Sequence, residues 1–126
     1  MKRFLFVLIV LLTTGMVSAQ QRGASITVVG EAVFDFGDIQ ESDGAVSHIF
    51  TVLNNGELPF VITHAIASCG CTQPVWTQEP IAPGKTGEIT AFFDPKGQRG
   101  PFTKTISVYI KEKAGNYILT IKGDIK

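Results

Sequence analysis

The chain has 126 residues, with 11 lysines and arginines against 11 aspartates and glutamates, and 44% of it is hydrophobic. That length suits one ordinary domain, and a formal charge of zero argues against a nucleic-acid binder, which needs a basic surface to neutralise phosphates. The apolar content supports a packed core and excludes wholesale disorder, while two cysteines are too few for a disulfide scaffold.

Met1-Lys2-Arg3 is a short basic head, and an unbroken apolar run follows from Phe4 to Leu12. Val17 and Ala19 then place small residues where a signal peptidase reads them. The apolar run is half the roughly 20 residues that a membrane-spanning helix needs. No cysteine follows the cut to carry a lipid. The expectation is a signal peptide over residues 1–19 and a single domain over 20–126, exported to the periplasm or beyond, with no membrane span after cleavage. Cleavage leaves 107 residues with nine basic and eleven acidic side chains, and both methionines depart, so no thioether remains for copper.

Beyond residue 19 there are twelve isoleucines and eight valines against three leucines. Branching at Cβ restricts a side chain in a helix and suits a pleated surface, so this bias favours strands. Glycines and prolines are spread along the same stretch and leave no room for a long helix. Alternation gives about seven short runs. Ser25 to Val29 and Ala32 to Phe36 come first, and Asp43-Gly44 then turns into Val46 to Leu53. Asn55-Gly56 turns out of that run. Phe60 to Ser68 follows, with a short piece at Val75-Trp76. Gly87 to Phe93 aligns Ile89, Ala91 and Phe93 on one face, and Phe102 to Ile110 aligns Ile106, Val108 and Ile110. The last run aligns Tyr117, Leu119 and Ile121. Short strands at regular spacing predict an all-β antiparallel sandwich or barrel.

Ser68-Cys69-Gly70-Cys71-Thr72 is the one chemically pointed segment. Residues two apart in a regular strand lie roughly 6.6 Å apart, at the far end of what a disulfide spans. A Cys69–Cys71 bond therefore needs a kink, which Gly70 permits. So small a loop removes little entropy from the unfolded chain, so the bond is a weak staple. Three readings stand side by side: packed or inertly bonded cysteines near Trp76, a redox pair exchanging with a partner thiol, and two thiolates holding a soft metal ion.

A zinc site would also require His48 and His64, the remaining strong ligands. His64 is five residues before Cys69 and faces the other way in an unbroken strand. Neither histidine is carried as a site, and no metal or cofactor is expected. Pro83-Gly84-Lys85-Thr86 looks like the end of a phosphate-binding loop, but Glu79 stands where that motif has glycine, and a strand follows instead of a helix. Ser47 and His48 are neighbours that point to opposite faces, and no serine sits in a Gly-x-Ser-x-Gly elbow. No catalytic residue is expected.

Phe34-Asp35-Phe36-Gly37-Asp38-Ile39 opens a wider pattern. Phe50, Asn54 and Gly56 precede Pro59-Phe60 and Ile62, and then come the Ser-Cys-Gly-Cys-Thr run, Ile81, Pro83-Gly84-Lys85, Gly87, Ile89 and Phe93-Asp94. Over residues 30–123 this resembles the secreted bacterial family called domain of unknown function 1573, and more widely the immunoglobulin-like modules of the abnormal-spindle/hydin type. The resemblance implies a seven-stranded immunoglobulin-like sandwich and a Gram-negative, Bacteroidetes-like exporter, and it implies no activity. The extra strand and basic pair with which a pilus chaperone grips a subunit are absent from the sequence, so chaperone function does not carry over.

Two function classes follow. The first is an exported, non-enzymatic module that binds a protein or envelope component. The second is a thiol-redox or soft-metal protein acting through Cys69 and Cys71.

Overall fold

Branched residues at alternate positions, punctuated by glycine and proline, satisfy their backbone groups by pairing strands side by side. The computed structural model describes residues 23–126, so the signal-peptide reading of residues 1–19 lies outside the described residues. Eight strands form: β1 (Ile26–Val28), β2 (Val33–Ile39), β3 (Val46–Asn54), β4 (Ile62–Ala67), β5 (Thr72–Trp76), β6 (Thr86–Phe93), β7 (Gly100–Ile110) and β8 (Lys113–Ile125). They build two four-stranded sheets, one in the order β1-β3-β6-β5 and the other β2-β8-β7-β4. This is the expected immunoglobulin-like sandwich, with eight strands against the seven that the resemblance implied.

One pairing departs from the antiparallel rule. β2 runs parallel to β8, whereas the other strand pairs are antiparallel. The chain leaves β1 through Gly30, whose φ of 83° is open to glycine alone at low cost, and enters the opposite sheet beside the last strand. A parallel edge is invisible to alternation, because the side-chain period is the same in both directions.

The aligned faces seen in the sequence meet in the middle. Ile89, Ala91 and Phe93 of β6, with Phe50 and Val52 of β3, face Ile106 and Val108 of β7 and Leu119 and Ile121 of β8, and all of these are buried. The Phe93 and Phe102 rings stack with centroids 4.3 Å apart. Burying each of the larger side chains among these stabilises the fold by about 1.5–3 kcal/mol. Trp76 of β5 packs against this core, and its indole N–H is buried without a hydrogen-bond partner.

Two boundaries shift for identifiable reasons. Phe60 does not begin β4, because it pairs by itself with Ile81, exchanging backbone bonds of 3.1 and 2.8 Å. β5 begins at Thr72, ahead of the Val75-Trp76 piece seen in the sequence, because Thr72 already pairs with Phe93. The Pro83-Gly84 segment is a tight turn closed by the Lys85 N–H donating to Ala82 at 2.9 Å, and it feeds β6. It is a turn before a strand, as the sequence indicated.

Candidate functional site

β4 ends in one sheet and β5 begins in the other, so residues 68–71 carry the chain across the sandwich. Several of the polar backbone groups released at this corner find partners through the motif itself. The Ser68 N–H donates to the Thr105 carbonyl at 2.9 Å, and the Thr105 N–H returns a 3.0 Å bond to the Ser68 hydroxyl. A regular antiparallel pair would return that bond to the Ser68 carbonyl. By substituting its side chain, Ser68 completes the ladder while its carbonyl turns away.

The Cys69 carbonyl accepts the Thr72 N–H at 3.2 Å, closing a four-residue turn. The Cys71 carbonyl accepts the Asp94 N–H at 2.9 Å and so extends the β5–β6 ladder by one pair. Cys69 and Cys71 are joined by a disulfide, with Cα atoms 5.3 Å apart. The kink that the bond requires is thus a turn between two strands of different sheets, where the sequence suggested a kink within one strand. Gly70 does not supply that kink through a left-handed φ, and a Cβ added to it would meet nothing within 4 Å. Gly70 is itself exposed.

The two sulfurs have different surroundings. Both cysteines are half-buried, and Cys71 packs against the core. The Cys71 N–H donates to the Cys69 sulfur at 3.2 Å. The hydroxyl of buried Thr72 lies 3.9 Å from each sulfur.

The histidines lie in different sheets, His48 on β3 and His64 on β4. His48 faces inward, its ring stacked on Phe34 at 3.6 Å and edge-on to Phe50 at 4.6 Å. Burial pushes its pKa below the usual histidine value. His64 stacks on Tyr109 at 4.4 Å, with Nδ1 3.0 Å from the Thr63 hydroxyl. Ser47 and His48 point to opposite faces, opposite Phe92 and Ala91 respectively. Among the described residues, no three His, Cys, Asp or Glu side chains gather as metal ligands.

Two features were missed in the sequence. The first is the role of Asn54, which is fully buried and ties three loops together. Its amide donates 2.8 Å bonds to the Leu58 and Ile81 carbonyls, while its side-chain oxygen accepts the Gly56 N–H at 3.0 Å. Its backbone accepts from Gly84 at 2.8 Å and donates to Lys85 at 2.9 Å. The Asn-x-Gly and Pro-Gly-Lys pieces, far apart in sequence, are therefore one structural unit.

The second is an apolar surface on the outer face of the first sheet. Ile49, Thr90 and Val75 form one row across β3, β6 and β5, and Ser47, Phe92 and Gln73 form the next. Val29 donates to the Thr51 carbonyl and so extends the same face past β1. Ile49 is 52% exposed, Val75 52%, Phe92 43% and Val29 53%. Period-2 alternation marks these positions as outward but cannot show that they are adjacent.

The described residues also form an open groove of about 300 Å³ where β2 bulges away from β8, lined by Asp35, Asp38, Lys122 and Asp124 among others. Its acids are partly engaged. Asp35 accepts the Gly37 N–H at 2.8 Å, and Asp124 pairs with Lys126 at 3.2 Å.

No curated protein matches the chain. Among solved structures, it is similar to a protein of unknown function from Porphyromonas gingivalis, at 14% identity and a TM-score of 0.69, covering 87% of this chain and 51% of that one. It is also similar to the ASH/PapD-like domain of human CEP192, at 9% identity and a TM-score of 0.63, covering 91% and 93%. The Vibrio cholerae VesB protease matches at 16% identity and a TM-score of 0.59, covering 85% of this chain and 32% of the protease. The chain therefore spans about half of the first of these proteins and a third of the last. At these identities the likeness is one of fold. Residues 27–125 match the family described as protein of unknown function (DUF1573), and the chain belongs to that family.

Proposed function

We propose that the chain is an exported, non-enzymatic immunoglobulin-like module that binds a protein or envelope component through the outer face of its β1-β3-β6-β5 sheet. The observation that carries this reading is the cluster of Ile49, Val75 and Phe92 on adjacent strands, with Val29 just beyond β1, each at least 43% exposed. Isolated exposed apolar side chains are ordinary, but contiguous ones on a monomer mark contact surfaces. The fold supports the same reading. Matched segments make up 32% of a protease chain and 93% of a PapD-like domain of CEP192, so sandwiches of this fold occur as components of larger proteins.

The test is a photo-crosslinking residue at Ile49 in cells that export the protein, with Lys122 of the opposite sheet as the control position. A discrete adduct at Ile49 that Phe92→Glu abolishes is the expected result. Equal labelling from both positions, or an adduct indifferent to Phe92→Glu, would count against it.

A further inference from the structure

We propose that the Cys69–Cys71 disulfide is a thiol-exchange site, opened and re-formed while the sandwich stays folded, with Cys69 carrying the mixed disulfide. Whatever stability a disulfide adds to a fold, the fold adds to the disulfide, so a bond that stabilises little is one that folding scarcely protects from reduction. The Cys69–Cys71 bond closes a loop with a sequence separation of 2, the kind that removes least entropy from the unfolded chain.

The corner also has its own supports. The Ser68–Thr105 pair, the Cys69–Thr72 turn bond and the Cys71–Asp94 bond all run through backbone groups or the serine hydroxyl and do not involve sulfur–sulfur bonding. Reduction therefore leaves the crossing between sheets in place. Access is provided by Gly70, exposed and without side chain, around which there is open space.

The asymmetry between the sulfurs sets their roles. Cys69 receives the Cys71 N–H at 3.2 Å, a donor that stabilises a thiolate there, whereas Cys71 packs against the core. An incoming thiolate attacks the Cys69 sulfur, forming a new S–S bond as the Cys69–Cys71 bond breaks. The electron pair leaves on the Cys71 sulfur, which takes a proton from water. A second thiolate then attacks the incoming sulfur and releases Cys69 as the thiolate held by that N–H. The protein is reduced to a dithiol and two thiols are oxidised to one disulfide; the reverse sequence oxidises it. The co-reactant is a thiol, either a small molecule or a dithiol protein.

The experiment equilibrates the purified, oxidised protein in glutathione buffers and, in parallel, with a thioredoxin-type dithiol protein. The readouts are thiol alkylation by intact mass and near-ultraviolet circular dichroism for the fold. The expected result is conversion to the dithiol with the fold signal retained. Reduction in both arms admits either source, and reduction by the dithiol protein alone assigns it to a protein partner. A pair still oxidised in excess reduced glutathione and in the second arm overturns the proposal, as does loss of the fold signal on reduction. Roles are read from the single variants: with oxidised glutathione, Cys71→Ser should form its mixed disulfide about ten-fold faster than Cys69→Ser. Equal rates would remove the role assigned to Cys69.

Discussion

The side-chain amide of Asn54 donates to the main-chain carbonyl of Ile81 at 2.8 Å, in a place from which water is excluded. Ile81 is itself paired with Phe60, so this bond fastens the β3–β4 connection to the segment that leads into β6. Asn54→Ala would remove both donated bonds and leave the Gly56 N–H without its acceptor. A loss of about 3–5 kcal/mol is expected, because buried carbonyls would lose their partners. Asn54→Asp should be no milder despite its shape, since a carboxylate cannot donate to the two carbonyls. Urea unfolding of both variants checks this; a loss below about 1 kcal/mol for either would show that the three loops are held by other means.

Gly56 is constrained by the same unit for a different reason. A Cβ there would collide with the Gly23 carbonyl oxygen and the Ser25 backbone nitrogen, and backbone cannot move aside as a flexible side chain can. Gly56→Ala should cost about 1–3 kcal/mol. It should also speed amide exchange in β1, whose approach to β3 sets that contact. Unchanged exchange in β1 would place the cost elsewhere.

Much of this fold was legible because burial on one face imposes period 2. Ile89, Ala91 and Phe93 were aligned by the sequence and are fully buried. The Ser-Cys-Gly-Cys-Thr run was legible as special, but not as a corner. Its meaning depends on Thr105 and Asp94, which reach it only through strand register. The buried Asn54 resisted reading for a related reason. An asparagine followed by Asn-Gly signals a turn, and nothing local shows that its amide is committed to residues as distant as Ile81. Local chemistry is written in neighbours along the chain; sites built across a sandwich are written in pairings that no single segment contains.

His48 gives the fold a pH dependence whose sign follows from burial. Its folded-state pKa lies below the ordinary value of 6.5, so the unfolded chain takes up a proton first as pH falls. The associated stability is fully present above that value and is lost as pH drops through it towards the lower folded-state pKa. His48→Phe keeps a ring between Phe34 and Phe50 and removes the titration. Denaturant midpoints measured from about pH 8 to pH 5.5 should therefore fall less steeply in the variant than in the parent. Parallel curves would show that protonation at His48 is not what the folded state resists.

The disulfide makes an opposite case, a covalent bond from which little stability is expected. On the chain-entropy account, closing a loop of three residues is worth about 1.6 kcal/mol, against about 3 for a loop of 15. Replacing both Cys69 and Cys71 with serine should thus cost about 1–2 kcal/mol. That is less than the loss expected for Asn54→Ala, which breaks no covalent bond. The order of these two losses is the informative quantity, because both variants can be measured by the same unfolding curve. If the double serine variant proves the weaker protein, the cysteines are anchoring the core through packing of Cys71, and the Ser68, Cys69 and Cys71 backbone bonds are insufficient to hold the corner. If Asn54→Ala is the weaker, the crossing between sheets stands without its disulfide. Conservation of the fold then places no demand on the oxidation state of the pair, which leaves the sulfurs available for chemistry.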